Sequence, residues 1–419
     1  MGVTERRLDM WTAEKIDARG SLTRRAIDEY TLKKLSRTVE HAISKSTFYR
    51  EKYKSCDREK DKSCDREKDE SCDREKYESC DREKDVTRDQ RKPCSFRSYE
   101  EFRRLPFTEQ YELRERAMDF LCVRPGEISR IVTLDTGGTT GSPKRIYFTE
   151  EDQQLTVDFF QNGMQLMADS SDIVLILMPA RVPGSIGKLL AKGLRGFGAH
   201  PVEYGLPEMR ITPRRIGEAA ATADEFRQID AGEDGEKEPE KLLRLMKERC
   251  VTGVVALPTH MEMLADTVLR KAAGGQAAGG DGERHLQKLK WVLLSAEYVD
   301  PEQVKKIEKA FDCKVYEHYG MTEMGLGCAV SCGFGKGYHV RESDIYIEII
   351  DPETGEPVKD GEPGEIVFTT LTRKGMPFIR YRTGDFSRWL TEECSCGSIL
   401  KRLDKVGPRD KVKGYLKGE

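Results

Sequence analysis

The chain has 419 residues, enough for one large α/β domain or for two or three smaller ones. Its formal net charge of −3 gives no overall basic field of the kind that draws a protein to nucleic acid or to a membrane surface. No apolar run reaches the roughly 18 residues of a membrane-spanning helix. The opening MGVTERRLDMWTAEK lacks the apolar stretch of a signal peptide, and the charged residues after Gly2 argue against N-terminal acylation. Twelve cysteines without a secretion signal fit a reducing compartment, with thiols or metal ligands rather than disulfides. A cytoplasmic location is expected, with no nucleic acid and no membrane among the partners.

Residues 9–54 carry a helical pattern, with Leu22, Ile27, Tyr30, Leu32, Leu35, Val39, Ala42 and Ile43 at mixed three- and four-residue steps. An internal repeat follows: SCDREKDK, SCDREKDE, SCDREKYE and SCDREKD, which places Cys56, Cys64, Cys72 and Cys80 eight residues apart. On a helix that spacing means a rise of about 12 Å and a rotation of roughly 80° between successive thiols, so the four cannot share one ion without the segment folding back. With almost no apolar residues, 55–92 reads as a solvated, disordered or fluctuating charged insertion.

Ordinary globular sequence resumes at 93, and a helical pattern runs to about Phe120. From 129 onward strands and helices alternate. Strands are predicted at 129–134, 144–148, 172–178, 252–257, 290–295 and 313–317, and helices at 150–167, 185–194, 239–249, 259–272 and 301–311. This is the pattern of an α/β fold, a mostly parallel sheet covered by helices. Polar breaks near 228–238 and 273–284 read as surface loops. From about 343 the texture changes to strands joined by a turn-rich connection, which predicts a smaller β-rich subdomain over 343–405.

The stretch Thr133–Thr149, TLDTGGTTGSPKRIYFT, breaks an apolar strand with a loop of glycines and hydroxyls closed by Lys144. Glycines let the main chain come close to a ligand, and successive N–H groups with a lysine can wrap an anion. The alternatives are a phosphate-binding loop and a Gly-rich hairpin that touches nothing. A Walker A loop is excluded, because Pro143 precedes Lys144, Arg145 follows it, and a strand rather than a helix comes next. Further on, Ser295-Ala296-Glu297 and Tyr319-Gly320-Met321-Thr322-Glu323 each end an apolar strand, where ligands collect in open parallel sheets. Tyr381-Arg382-Thr383-Gly384-Asp385 lies in the β-rich region. Each alone is as well explained by packing or a turn.

In this order on one chain, STFYREKYK, LPFT, TGGTTGSPK, SAE, YGMTE, DPETGEPV with GEIVFTTLT, and PFIRYRTGD resemble the adenylate-forming (AMP-binding) superfamily, and within it the phenylacetate–CoA ligase-like family. The resemblance spans about 40–410, interrupted by the repeats. It implies a large N-terminal adenylation domain: a helical part at 1–54, an α/β core at 93–342, the β-rich subdomain at 343–405 and a hinge remnant at 406–419. The family's C-terminal lid, with its adenylation lysine, is expected to be absent. Thr136-Gly137 departs from the two serines common at that point in relatives, and Lys411 stands where a second acidic residue is common.

The resemblance also implies roles. Thr136, Gly137, Gly138, Thr139, Thr140, Gly141, Ser142 and Lys144 would hold the β- and γ-phosphates of ATP. Ala296 and Glu297 would border the adenine, Tyr319 would lie against its face, and Gly320 and Met321 would belong to the nucleotide site. Thr322 would contact the α-phosphate and Glu323 would hold Mg²⁺. Asp385 and Arg409 would bind the ribose. Lys144, Thr322 and Glu323 would carry the catalytic burden. A carboxylic acid, aryl or similar, would attack ATP to give an acyl-adenylate and pyrophosphate, and coenzyme A would then displace AMP. The alternatives are adenylation without coenzyme A and a lid-less nucleotide-binding protein with little turnover. A homodimer and a separate chain supplying the lid are admitted as partners. Cys332, His339, Cys394 and Cys396 form a pattern similar to one in this family and are expected to hold a structural Zn²⁺, the other reading being four unrelated residues. Phe159, Phe160, Met164 and His260 are explained equally well as acyl-pocket lining and as core.

Overall fold

A computed structural model describes residues 7–18, 21–54, 95–134, 143–204, 238–273 and 289–417. Its centre is an eight-stranded sheet in the order β13-β9-β8-β7-β6-β5-β3-β4. The strands are β3 (Ile173–Leu177), β4 (His200–Glu203), β5 (Gly253–Ala256), β6 (Trp291–Leu294), β7 (Lys314–Tyr319), β8 (Ala329–Val330), β9 (Tyr338–Val340) and β13 (Arg402–Leu403). From β4 to β7 all pairings are parallel, and from β7 to β13 all are antiparallel. A hairpin of β1 (Arg130–Leu134) and β2 (Lys144–Phe148) stands apart, as does an antiparallel sheet of β10 (Ile345–Ile350), β11 (Gly364–Thr370) and β12 (Tyr381–Ser387).

The parallel strands are buried on both faces, which is why IVLIL, GVVA and WVLL read as unbroken apolar runs. Their side chains alternate between two cores. Val174, Ile176, Val255 and Leu293 pack against helices Glu150–Met164 and Ile186–Gly196. Leu175, Leu177, Val254, Val292 and Leu294 pack on the opposite face against helices Glu238–Glu248, Pro258–Ala273 and Pro301–Phe311. A third core joins helix Arg24–Lys45, Phe48, Tyr49 and the β10–β12 sheet. Helix starts follow local chemistry. Thr149 and Asp152 cap Glu150–Met164 reciprocally, and Asp300 followed by Pro301 starts Pro301–Phe311.

The predicted strands and helices from 129 to 317 all occur, with ends shifted by a few residues. The helical run at 9–54 is broken: helices span Arg7–Lys15, Arg24–Lys45 and 47–54, and Ser46 caps the second, its N–H donating to the Ala42 carbonyl. Short or edge strands β4, β8, β9 and β13 escaped prediction because two to four residues carry no period. Strand β13 lies in the expected 343–405 subdomain yet pairs with β9 of the large sheet, so pairing does not follow that boundary. Residues 409–417, expected as a hinge remnant, form a helix. At the predicted loops, Glu238 and Ala273 are helical instead. The repeat insertion 55–92 and the phosphate-loop residues Thr136–Ser142 lie outside the described residues. Among the described residues no helix is long and apolar enough to cross a membrane.

Candidate active site

Strands β5, β6 and β7 run parallel in register, so their carboxyl ends open on one edge of the sheet. Pro258-Thr259-His260, Ser295-Ala296-Glu297 and Tyr319–Glu323 follow these three ends. The Glu297 carboxylate accepts the Thr259 N–H at 3.4 Å, which ties two of the stretches together. Ala296 sits at φ 70°, Leu326 at φ 66° and Arg380 at φ 48°. A left-handed backbone is costly for a non-glycine residue, so each of these three turns stores strain that the surrounding packing must hold. At Arg380 the restraints are visible. Its guanidinium bonds Glu348 at 2.9 Å and the carbonyls of Arg103 and Leu105, and it lies 4.0 Å from the Phe107 ring centre.

Lys144, the first residue of β2, forms a buried ion pair with Glu323. Tyr381 of β12 joins them. Its hydroxyl donates to Glu323 Oε1 at 3.0 Å, and Lys144 Nζ donates to it at 3.3 Å. Arg373 fixes the main chain around this trio, donating to the Glu323 carbonyl at 2.8 Å and to the Tyr147 carbonyl at 2.7 Å. Its guanidinium stacks 4.4 Å from the Phe148 ring centre. Strand β2 and the turn after β7 are thereby locked to each other.

Asp385 reaches the same region through a bulge. Glu365 pairs with Phe386 and Val367 with Arg382, so Thr383, Gly384 and Asp385 bulge out opposite Ile366. Gly384 takes φ 77°, which only glycine adopts freely. Thr383 Oγ1 donates to the Ile366 carbonyl at 2.7 Å and accepts the Asp385 N–H at 3.0 Å. The bulge aims the Asp385 carboxylate at Tyr319, whose hydroxyl donates to it at 3.0 Å. Burial raises the Asp385 carboxyl to about 6, the Tyr319 bond opposes the shift, and the negative charges of Glu323 and Glu365 add to it. Arg409 is exposed at the start of helix Arg409–Lys417, its guanidinium 5.5 Å from the ring centre of Phe386, the neighbour of Asp385.

The structure thus brings together Lys144, Glu323, Tyr319 and Asp385, and sets Thr322, Gly320 and Met321 in the connecting turn. A Cβ at Gly320 would come within 2.7 Å of the Leu326 carbonyl, so the turn closes tightly only with glycine there. Tyr381 and Arg373 were missed. Nothing in sequence spacing links Tyr381 to Glu323, which lie 58 residues apart.

Behind the sheet edge, Phe159, Phe160, Met164, Met178, Val255 and Leu293 line an apolar cavity of about 20 Å³ into which Ser295 and His318 also face. Ser295 Oγ lies 2.7 Å from His318 Nδ1, while Nε2 of that imidazole has no hydrogen-bond partner among the described residues. Burial lowers the His318 imidazole to about 4, so it is neutral at pH 7. His260, by contrast, is buried but does not line this cavity.

A second cluster lies at the antiparallel edge of the large sheet. The ligand atoms of Cys332, His339, Cys394 and Cys396 all fall within 4.8 Å of one another, and all four residues are buried. Cys332 Sγ is 3.5 Å from Cys394 Sγ, and Cys396 Sγ is 3.4 Å from His339 Nε2. Hydrogen bonding from Cys396 draws the Cys332 thiol well below its usual range, toward the thiolate that binds metal.

The AMP-binding enzyme family model matches residues 228–371. The phenylacetate-coenzyme A ligase of Thermus thermophilus is 26% identical over 317 residues, covering 75% of this chain and 62% of that enzyme. The Escherichia coli phenylacetate-coenzyme A ligase is 27% identical, covering 76% of this chain and 63% of the relative. This chain therefore spans less than two thirds of their length. A solved 2-hydroxyisobutyryl-CoA ligase, in complex with 2-HIB-AMP and CoA, superposes with a TM-score of 0.68 over 93% of this chain and 69% of its own, at 20% identity, and shares the fold. This chain is therefore similar to AMP-binding, adenylate-forming enzymes. Four of the curated proteins it resembles are phenylacetate-coenzyme A ligases.

Proposed function

We propose that the protein is an AMP-forming carboxylate–CoA ligase. It would activate an organic acid with ATP to an acyl-adenylate and pass the acyl group to coenzyme A. The carrying observation is the convergence of Lys144, Glu323, Tyr319 and Asp385 from three separate stretches onto one end of the sheet. The first half-reaction joins two anions, a carboxylate and a triphosphate, so the protein must align them and offset charge rather than supply a base. Lys144 offsets phosphate charge, together with the Thr136–Ser142 loop. Tyr319 lies against the adenine and Asp385 accepts from the ribose hydroxyls, with Arg409 beside it. Ala296 and Glu297 border the base, and Thr322 meets the α-phosphate.

Glu323, with the Thr322 hydroxyl beside it, offers the oxygen donors that Mg²⁺ requires. Bound there, the cation would neutralise charge on the phosphates. The Cys332–His339–Cys394–Cys396 cluster fits Zn²⁺: at tetrahedral Zn–S and Zn–N bond lengths, ligand atoms stand about 3.5–3.8 Å apart, near the spacings observed. There the metal would clamp the 394–397 turn onto β9 and protect the short edge strand β13. The apolar lining of the small cavity behind Ser295 favours an apolar acid, aryl or similar, over a charged one.

The test is ATP–pyrophosphate exchange driven by a panel of carboxylates, with and without coenzyme A. Acid-dependent exchange, with thioester formed only when coenzyme A is added, is the expected result. Exchange with no thioester would leave adenylation standing and remove coenzyme A. ATP binding with no exchange for any acid would overturn the ligase.

A further inference from the structure

Glu323 is held from three directions, and each restraint has a different fate during the proposed reaction. Its main chain is pinned by Arg373, whose guanidinium also grips strand β2. Its Oε1 receives both the Lys144 ammonium and the Tyr381 hydroxyl. No hydrogen bond joins Glu323 Oε2 to a described residue. Lys144 carries its charge on a four-carbon stem with rotatable bonds, and nucleotide phosphates would attract it away from Glu323. Tyr381 is different. It is fully buried, wedged among Phe368 and Phe378 at ring-centre distances of 5.4 Å and 5.2 Å. Its hydroxyl has one place to go.

We infer that Tyr381 is a positioning residue: it holds one carboxylate oxygen of Glu323 by hydrogen bond, so that the other stays aimed at a divalent cation bound with ATP. This rests on the adenylation reading above. A carboxylate on a free side chain rotates about its terminal torsion, and ordering it at the moment of binding costs entropy. A rigid phenol donating to Oε1 removes that freedom beforehand. The hydroxyl also stays a donor throughout, because burial and the Glu323 charge hold it far above the usual phenol range.

The experiment is calorimetric titration of the chain with ATP in excess Mg²⁺ and with ATP in a chelator, for the native chain, Tyr381→Phe, Glu323→Gln and the double variant. Phe keeps the ring and its packing, and removes one charged-acceptor hydrogen bond. Mg²⁺·ATP binding should weaken about tenfold, the size expected for such a bond. Metal-free ATP binding should change less than about twofold by the same scale. In the Glu323→Gln background, adding Tyr381→Phe should cost nothing further.

Equal weakening with and without metal would overturn the inference, because Tyr381 would then be a nucleotide contact or a purely structural residue. Unchanged Mg²⁺·ATP affinity in Tyr381→Phe would overturn it as well. A melting scan of each variant separates folding from function: a Phe variant that melts well below the native chain and has lost metal-free binding counts against positioning. A native chain that binds no Mg²⁺·ATP removes the adenylation reading first, and this inference with it.

Discussion

The hydroxyl of Tyr319 lies 3.0 Å from Asp385 Oδ2, joining the turn at the end of β7 to the bulge of β12 across 66 residues of sequence. The bond stabilises the ionised carboxylate, yet burial and the nearby Glu323 and Glu365 outweigh it, and the Asp385 carboxyl rises to about 6. As acceptor for two ribose hydroxyls, Asp385 must be ionised. Nucleotide affinity should therefore increase as pH rises through about 6, and titrations of the native chain with AMP between pH 5 and pH 8 should show that inflection. The variant Asp385→Asn should bind AMP weakly and without it.

The same shift has a consequence for stability. The folded-state pKa lies above the ordinary 3.8, so the folded chain binds this proton more tightly than the unfolded one. Its contribution is fully present below about 3.8 and is lost as pH rises through about 6. At pH 7 the ionised Asp385 therefore works against folding. Asp385→Asn should raise the melting temperature at pH 7 relative to its effect at pH 4, where other carboxylates titrate equally in both chains.

Lys144 and Glu323 form a buried pair, and removing one partner leaves the other charge uncompensated. Lys144→Met should cost about 3 kcal/mol in urea denaturation, and Lys144→Met with Glu323→Gln should cost less than the sum of the single changes. Exchange activity should fall at least about a hundredfold in Lys144→Met, on the scale of removing one charge-stabilising donor. Exchange that survives Lys144→Met would sink its assignment to the phosphates.

Arg373 satisfies two main-chain carbonyls with a fully buried guanidinium. Arg373→Met orphans both carbonyls and should lower stability by about 3 kcal/mol. Arg373→Lys should recover only part of this, because one ammonium cannot reproduce the planar fork that spans the Glu323 and Tyr147 carbonyls. Denaturation midpoints for the pair of variants decide the matter.

If the four-ligand cluster holds Zn²⁺, purified chain should carry about one zinc by elemental analysis. Cys394→Ser and Cys396→Ser should each lose it and melt at lower temperature. Chelation of the native chain should give the same downward shift, reversed by added zinc. Metal content near zero in chain purified without chelator would leave the cluster as buried thiols alone.

Much of this was legible beforehand. The parallel strands announce themselves because a strand buried on both faces must be apolar throughout, and the helices between them because one face repeats every third or fourth residue. The stretches TGGTTGSPK, SAE and YGMTE were visible where apolar strand runs break off, and YRTGD within the β-rich region, where it forms part of strand β12. Short strands β8, β9 and β13 were not, since two or three residues have no period and their pairing is set by partners distant in the chain. The helical run at 9–54 was read as one element because its breaks, at 16–23 and at Ser46, leave the apolar spacing nearly intact.

Sequence by itself determined the class of fold and the order of the candidate ligand-bearing stretches, because local apolar periodicity and glycine content are properties of neighbouring residues. Which side chains meet was decided only by the tertiary structure. Lys144 meets Glu323 across 179 residues, Cys332 comes beside Cys394 across 62, and a bulge turns Asp385 toward Tyr319. Tyr381 acquires its place beside Glu323 in the same way, through strand register and side-chain packing between distant segments, which no window of sequence contains.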